Sequence, residues 1–152
     1  MSKAIGFALI LCGVLLGATA GARAADADDV VFAPMHQFAD GMNSGDMKKA
    51  GGAYVASASI IDEFAPHRWN SFAAWLRDAG AYFKAGGVTD LHIALGAVSF
   101  KQIGAKVAYA VVPTTLTSKT NGKPGAEKGL FTFSFVKGTK GWRISGWAWS
   151  TL

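Results

Sequence analysis

The chain has almost no cysteine: one residue of 152, Cys12. It sits inside the apolar run from Ile5 to Leu16 and follows Leu11, where a lipid-modified cysteine would want a small residue. The run, the preceding Lys3 and the small-x-small site Ala22-Arg23-Ala24 together have the form of a secretory signal peptide. Residues 1–24 are therefore expected to be removed, leaving a mature chain, residues 25–152, without a thiol. Disulfides, thiolate nucleophiles and cysteine-bound metals are excluded from it. A retained membrane anchor is the alternative, because no charge falls between Lys3 and Arg23. The stretch from Gly17 to Ala22 is too weakly apolar to favour that alternative. Export makes the expected location the periplasm or the cell exterior.

Charge is also scarce, at 16% Asp, Glu, Lys and Arg against 51% hydrophobic residues. Without Lys3 and Arg23 the 15 basic residues become 13, against 10 acidic ones. So small a surplus makes no polyanion surface, and nucleic acid is not an expected partner. Lys119, Lys123 and Lys128 gather around one turn, as at a solvated hairpin tip. After cleavage of the leader no membrane segment remains. The three histidines, His36, His67 and His92, share no short ligand spacing. Ser57, Ser59 and Ser71 lack a nucleophile context, and Gly51-Gly52 and Gly86-Gly87 read as breaks, not phosphate cradles. No metal or other cofactor is expected.

What is present is periodic. Val31, Met35, Phe38 and Met42 recur at helical spacing, with Pro34 expected in the first turn and Gly45 as the stop. Asp46 is placed to cap a second short helix toward Tyr54. A strand is expected from Ser57 to Phe64, with Ile60, Asp62 and Phe64 on one face and Glu63 turned to solvent on the other. A third helix follows Asn70 or Ser71 and carries Phe72, Trp75, Leu76, Ala79 and Phe83 on one stripe. From Val88 the period becomes two, giving strands around Leu91–Leu95, 97–103, 106–119, 129–137 and 142–150, with Asn121-Gly122 a tight turn. Helices first and a sheet-rich half afterwards make one α+β domain with helices on one face of a mainly antiparallel sheet.

That order resembles the nuclear-transport-factor-2-like (SnoaL-like) superfamily, which includes the ketosteroid isomerases and polyketide-cyclase-like proteins, and its small exported bacterial members in particular. The resemblance rests on Asn43-Ser44-Gly45-Asp46, Ile60-Ile61-Asp62-Glu63-Phe64, Trp69, Ala108-Tyr109-Ala110-Val111-Val112-Pro113 and Gly141-Trp142-Arg143-Ile144-Ser145-Gly146-Trp147-Ala148-Trp149. It implies a cone-shaped fold, a bent sheet wrapping the long helix around an apolar cavity. It also implies that Asp62 stands about where isomerase-like members carry a catalytic carboxylate. Seven residues before Gly45, where the isomerases carry a tyrosine donor, stands Phe38, and from Gly129 to Val136 there is no carboxylate to act as second donor. Loss of both oxyanion donors argues against ketosteroid isomerase chemistry.

Asp62 is the first catalytic candidate: a carboxylate on a cavity-facing strand is desolvated and can act as a general base, while the alternative is an aspartate capping the next turn. His92 is the second, a proton relay if its strand face is inward and a surface histidine if not. Phe38, Trp69, Trp75, Tyr109, Phe131 and Phe133 are the expected ligand-binding residues, since large apolar bodies with occasional polar tips suit a pocket for a small hydrophobic or aromatic molecule. Trp147 and Trp149 share a strand face with Arg143 and Ser145. If that face is outward, they form a surface for a homodimer through the sheet; lining of the cavity is the alternative. Function divides between a binding domain and a lyase, isomerase or cyclase-like enzyme using Asp62, with a protein-interaction module as a third reading.

Overall fold

The computed structural model describes residues 27–152, so the expected leader, its cleavage site and Cys12 lie outside the described residues. Asp28 and Asp29 put negative charge in the first turn of α1 (Ala27–Ser44), where it complements the helix dipole. The helix starts earlier than the spacing of apolar residues suggested, so Pro34 falls inside it instead of in its first turn. The missing N–H frees the Val30 carbonyl, and Val30 is exposed, which leaves that carbonyl to water. Val31, Met35 and Phe38 are buried along one stripe. The chain turns at Gly45 (φ 73°), and the Asp46 carboxylate accepts from the Lys49 N–H at 2.9 Å to cap α2 (Met47–Gly52).

Strand β1 runs from Tyr54 to Ile61, ahead of the expected Ser57–Phe64. It stops there because the following residues bond to one another across a turn: Asp62 N–H donates to the His67 carbonyl and His67 N–H to the Phe64 carbonyl. Two residues, β2 (Arg68–Trp69), return antiparallel to β1. Ser71 then caps α3 (Phe72–Ala85), its hydroxyl accepting from Ala74 N–H. Strands β3 (Val88–Leu95) and β4 (Phe100–Ile103) lie along one edge of β5 (Val107–Thr120), each on a different half. The changeover falls at Pro113, which has no N–H to donate and accepts from Gly96 N–H at 2.8 Å. Asn121 and Gly122, with φ of 51° and 81°, make the expected two-residue turn into β6 (Lys123–Gly138). The last strand, β7 (Gly141–Thr151), pairs antiparallel with β6 and parallel with β1. The result is the expected α+β architecture, a curved, unclosed sheet in the order β2-β1-β7-β6-β5-β3 with helices on its inner face.

One irregularity decides which way the sheet's aromatic residues point. Pairing between β6 and β7 steps from Phe135↔Ile144 to Ser134↔Gly146, so Ser145 is an extra residue on β7. This bulge shifts the alternation by one, and Ile144, Trp147 and Trp149 are all buried against the helices. The outward tryptophan patch considered above is thereby overturned. The outer face instead exposes Phe100, Val107 and Tyr109. Inside, the Phe38 ring is fully buried, with the rings of Tyr54, Phe72, Phe131, Phe133 and Trp147 at 5.6 to 6.4 Å.

Candidate ligand-binding site

Between α1, α3 and the inner sheet face the packing leaves a cavity of about 130 Å³. Helix α1 supplies Phe38 and Met42, α3 supplies Trp75, Tyr82 and Phe83, and β3 and β5 supply Leu91, Ile93 and Leu116. Phe131, Trp147 and Trp149 close the sheet side. Trp75 meets Trp147 edge to face at 5.2 Å, and Phe131 meets Trp147 the same way at 5.1 Å. Trp149 keeps its place because β6 has Gly129 diagonally across from it: a Cβ there would lie 2.5 Å from the indole ring. The far wall is held by Asn43, whose amide donates to the Ile93 carbonyl at 2.9 Å and accepts from the Ile93 N–H at 2.7 Å. It thus occupies, at the open edge of β3, the hydrogen-bonding place of a missing strand.

Three carboxylates join this ring-lined wall: Asp62, Glu63 and Glu127. Asp62 directly follows β1, and its Oδ2 accepts from Trp75 Nε1 at 2.8 Å while Oδ1 accepts from Glu63 N–H at 2.8 Å. Burial pushes its carboxyl above the ordinary range; the Trp75 and Glu63 donors oppose that rise, and the charges of Glu63 and Glu127 add to it. Glu63 Oε1 accepts from the N–H of Thr151 at 2.8 Å and lies 2.7 Å from its hydroxyl. Glu127 Oε1 accepts from Trp149 Nε1 at 3.2 Å and stands 2.8 Å from the same Thr151 hydroxyl. Among the described residues, no Lys, Arg or His lines the cavity.

A family model for the SnoaL-like domain matches residues 31–152. The chain belongs to the SnoaL-like domain family. No curated protein sequence matches it. Among solved structures, a nuclear-transport-factor-2-like protein with a cystatin-like fold from Novosphingobium aromaticivorans is 18% identical, with a TM-score of 0.65 over 82% of this chain and 81% of that one. A ketosteroid isomerase-like protein from Erwinia carotovora atroseptica is 16% identical, with a TM-score of 0.66 over 84% and 98%. A nuclear-transport-factor-2-like superfamily protein from Salmonella enterica is 13% identical, with a TM-score of 0.67 over 80% and 87%. At these identities the structures share the fold.

In this SnoaL-like domain the cavity brings together Asp62, Phe38, Trp75 and Phe131 from the sequence-expected set. The others stand elsewhere. Phe133 is fully buried and does not line the cavity. Trp69 is buried too, but its ring packs on Phe64 at 4.8 Å and its Nε1 donates to Asp78 Oδ2 at 2.9 Å, away from the lining. Asp78 in turn is held below the usual carboxylate range by hydrogen bonding from Arg77. Tyr109 points outward, since Ala108 and Ala110 take the inward positions of β5, and it packs on Phe100 at 5.6 Å. His92 is likewise exposed, between inward Leu91 and Ile93, so neither it nor Tyr109 stands beside Asp62. His36 and His67 are exposed.

Two carboxylates at the cavity were not among the expected site residues. Glu63, expected to face solvent, is exposed, and from the rim it also reaches Thr151. Glu127 escaped notice because β6 was expected to begin at Gly129; the strand begins at Lys123, and Glu127 shares the inward parity of Phe131. The buried aromatic cluster surrounds a ring-sized apolar volume, with one desolvated carboxylate at its wall and two more accessible ones nearby.

Proposed function

We propose that the mature protein binds a small apolar or aromatic molecule in this cavity. The supporting observation is the part-open cavity itself, walled by Phe38, Trp75, Phe131, Trp147 and Trp149 and left unfilled by side chains. A dry cavity of about 150 Å³ holds a benzene ring, so about 130 Å³ suits a single ring and is too small for a fused polycycle. Titration of the mature chain with benzyl alcohol, followed by tryptophan fluorescence, is expected to saturate, and Leu116→Trp, which fills the space, is expected to remove the response. Equal binding by the filled variant would sink this reading.

A second reading is favoured by the raised carboxyl of Asp62: a buried base with its affinity for protons moved toward neutrality is suited to abstract a proton from an activated carbon. Asp62 then acts with Trp75 as its positioning partner, without His92 or Tyr109. Turnover of a candidate carbonyl substrate should vanish in Asp62→Asn while the folded spectrum persists, and retained turnover would remove Asp62 from the chemistry. We also take the protein to be exported, on the strength of Lys3, the apolar run and Ala22-Arg23-Ala24. Intact mass of the protein recovered from the periplasm should begin at Ala25.

A further inference from the structure

Four of the residues lining the cavity carry a side-chain hydrogen-bond donor: Trp75, Tyr82, Trp147 and Trp149. All three indole N–H groups are already engaged within the protein. Trp75 Nε1 donates to Asp62 Oδ2 at 2.8 Å, Trp147 Nε1 to the Tyr54 hydroxyl at 2.8 Å and Trp149 Nε1 to Glu127 Oε1 at 3.2 Å. Tyr54 is buried, stacks on Phe72 at 4.7 Å and is not part of the lining, so the Trp147 donor is directed at a partner outside the cavity. The fourth donor, the Tyr82 hydroxyl, belongs to an exposed side chain stacked on Phe64 at 4.6 Å. The other polar side chains of the lining are carboxylates, which in ionised form accept and do not donate.

A ligand oxygen with lone pairs and no hydrogen therefore meets no free side-chain donor among the buried rings. To receive an indole N–H, a carbonyl would have to take it from Asp62 or Tyr54, and the displaced acceptor would lose its partner away from water. Moving the oxygen out to Tyr82 and to solvent draws the ring away from Phe38 and Trp147. A hydroxyl meets neither cost: it donates to Asp62, whose carboxylate has room for about four hydrogen bonds and receives two within the protein. We infer that the cavity discriminates by the direction of the hydrogen bond, taking a compact ring that carries a hydroxyl and rejecting the same ring carrying a carbonyl. This rests on the proposed binding function and narrows its ligand to a small cyclic or aromatic alcohol. Such a site is the opposite of one built to stabilise an oxyanion, where free donors face the developing charge.

The test is a calorimetric titration of the full mature chain at mildly alkaline pH with cyclohexanol and cyclohexanone, which have nearly one shape, and with benzyl alcohol as the probe of the pocket itself. Cyclohexanol is expected to bind at least about tenfold more tightly than cyclohexanone, a difference of about 1.4 kcal/mol. In Asp62→Asn the amide oxygen can keep the Trp75 bond while the NH2 group gives the cavity a donor, so cyclohexanone should gain and the preference should fall to within about twofold or reverse. An unchanged preference in the folded variant overturns the part given to Asp62. If that variant does not fold, the pair of probes on the unaltered protein still decides. Cyclohexanone binding as tightly as cyclohexanol, or neither binding while benzyl alcohol saturates, overturns the inference and leaves the pocket reading standing. Failure of all three to bind overturns both.

Discussion

Asp62 holds its two oxygens against different donors, Trp75 Nε1 and Glu63 N–H, and both favour the charged form. Burial nevertheless outweighs them, so the folded protein binds this proton more readily than the unfolded chain, where an aspartate titrates near about 3.9. The sign of the linkage follows. Stability contributed by this group is fully present below about pH 4 and is lost as pH rises through the raised folded value. Measured against Asp62→Asn, which cannot ionise, the protein should therefore lose stability across that window and change little above it. Denaturant titrations at a series of pH values read the difference directly, and a gap that stays constant from about pH 3 to about pH 8 would mean that the carboxylate is not desolvated. The same residue was legible in the sequence because it sits two positions from Ile60 and from Phe64, both of which are buried, although β1 ends at Ile61 and Asp62 lies just beyond it. Its partner was not: Trp75 lies in another element, and its indole N–H reaches Asp62 only once α3 is packed on β1.

At the scale of elements, alternation of apolar residues located every strand except the two-residue β2, but not a strand's parity across a defect. Ala108 and Ala110, small and easily passed over, are the inward residues of β5, and the larger Tyr109 is outward because it comes between them. On β7 the extra residue at Ser145 reverses the pattern midway, so no single alternating assignment fits both Ile144 and Trp147. Two of the site's aromatic residues, Trp147 and Trp149, depend on that bulge, and a bulge has no periodic signature in the letters. The join between α1 and β3 is another feature that local pattern conceals. Asn43 read only as part of a turn sequence, whereas its amide pairs with both backbone groups of Ile93. Asn43→Ala would leave a part-buried N–H and carbonyl without partners, at a cost of about 1–3 kcal/mol. The expected signature is a lower denaturation midpoint together with faster hydrogen exchange at Ile93. A midpoint loss without that local exchange would place the cost elsewhere than at β3.

For the molecule as a whole, the sheet presents two unlike faces. Its inner face is closed over the cavity, and its outer face leaves Phe100 53%, Val107 63% and Tyr109 39% exposed on neighbouring strands β4 and β5. Apolar side chains grouped in this way, without a charge among them, are self-complementary under a twofold axis, so a second copy of the chain is the occupant that needs no further chemistry. We propose a homodimer through this face, formed by residues other than the tryptophans first considered for it. A stable dimer buries about 800 Å² on each partner, which requires the patch to extend across β4, β5 and β6 and so to be sensitive to a charge at its centre. Sedimentation of the mature protein should give twice the chain mass, and Tyr109→Glu should shift it to one. Because Tyr109 points away from the cavity, the same substitution should leave benzyl alcohol affinity within about twofold, a difference of under about 0.5 kcal/mol. A monomeric unaltered protein at micromolar concentration would end the dimer proposal. Loss of ligand affinity with Tyr109→Glu would instead show that closure of the cavity depends on the pairing of two sheets, tying the two faces into one device.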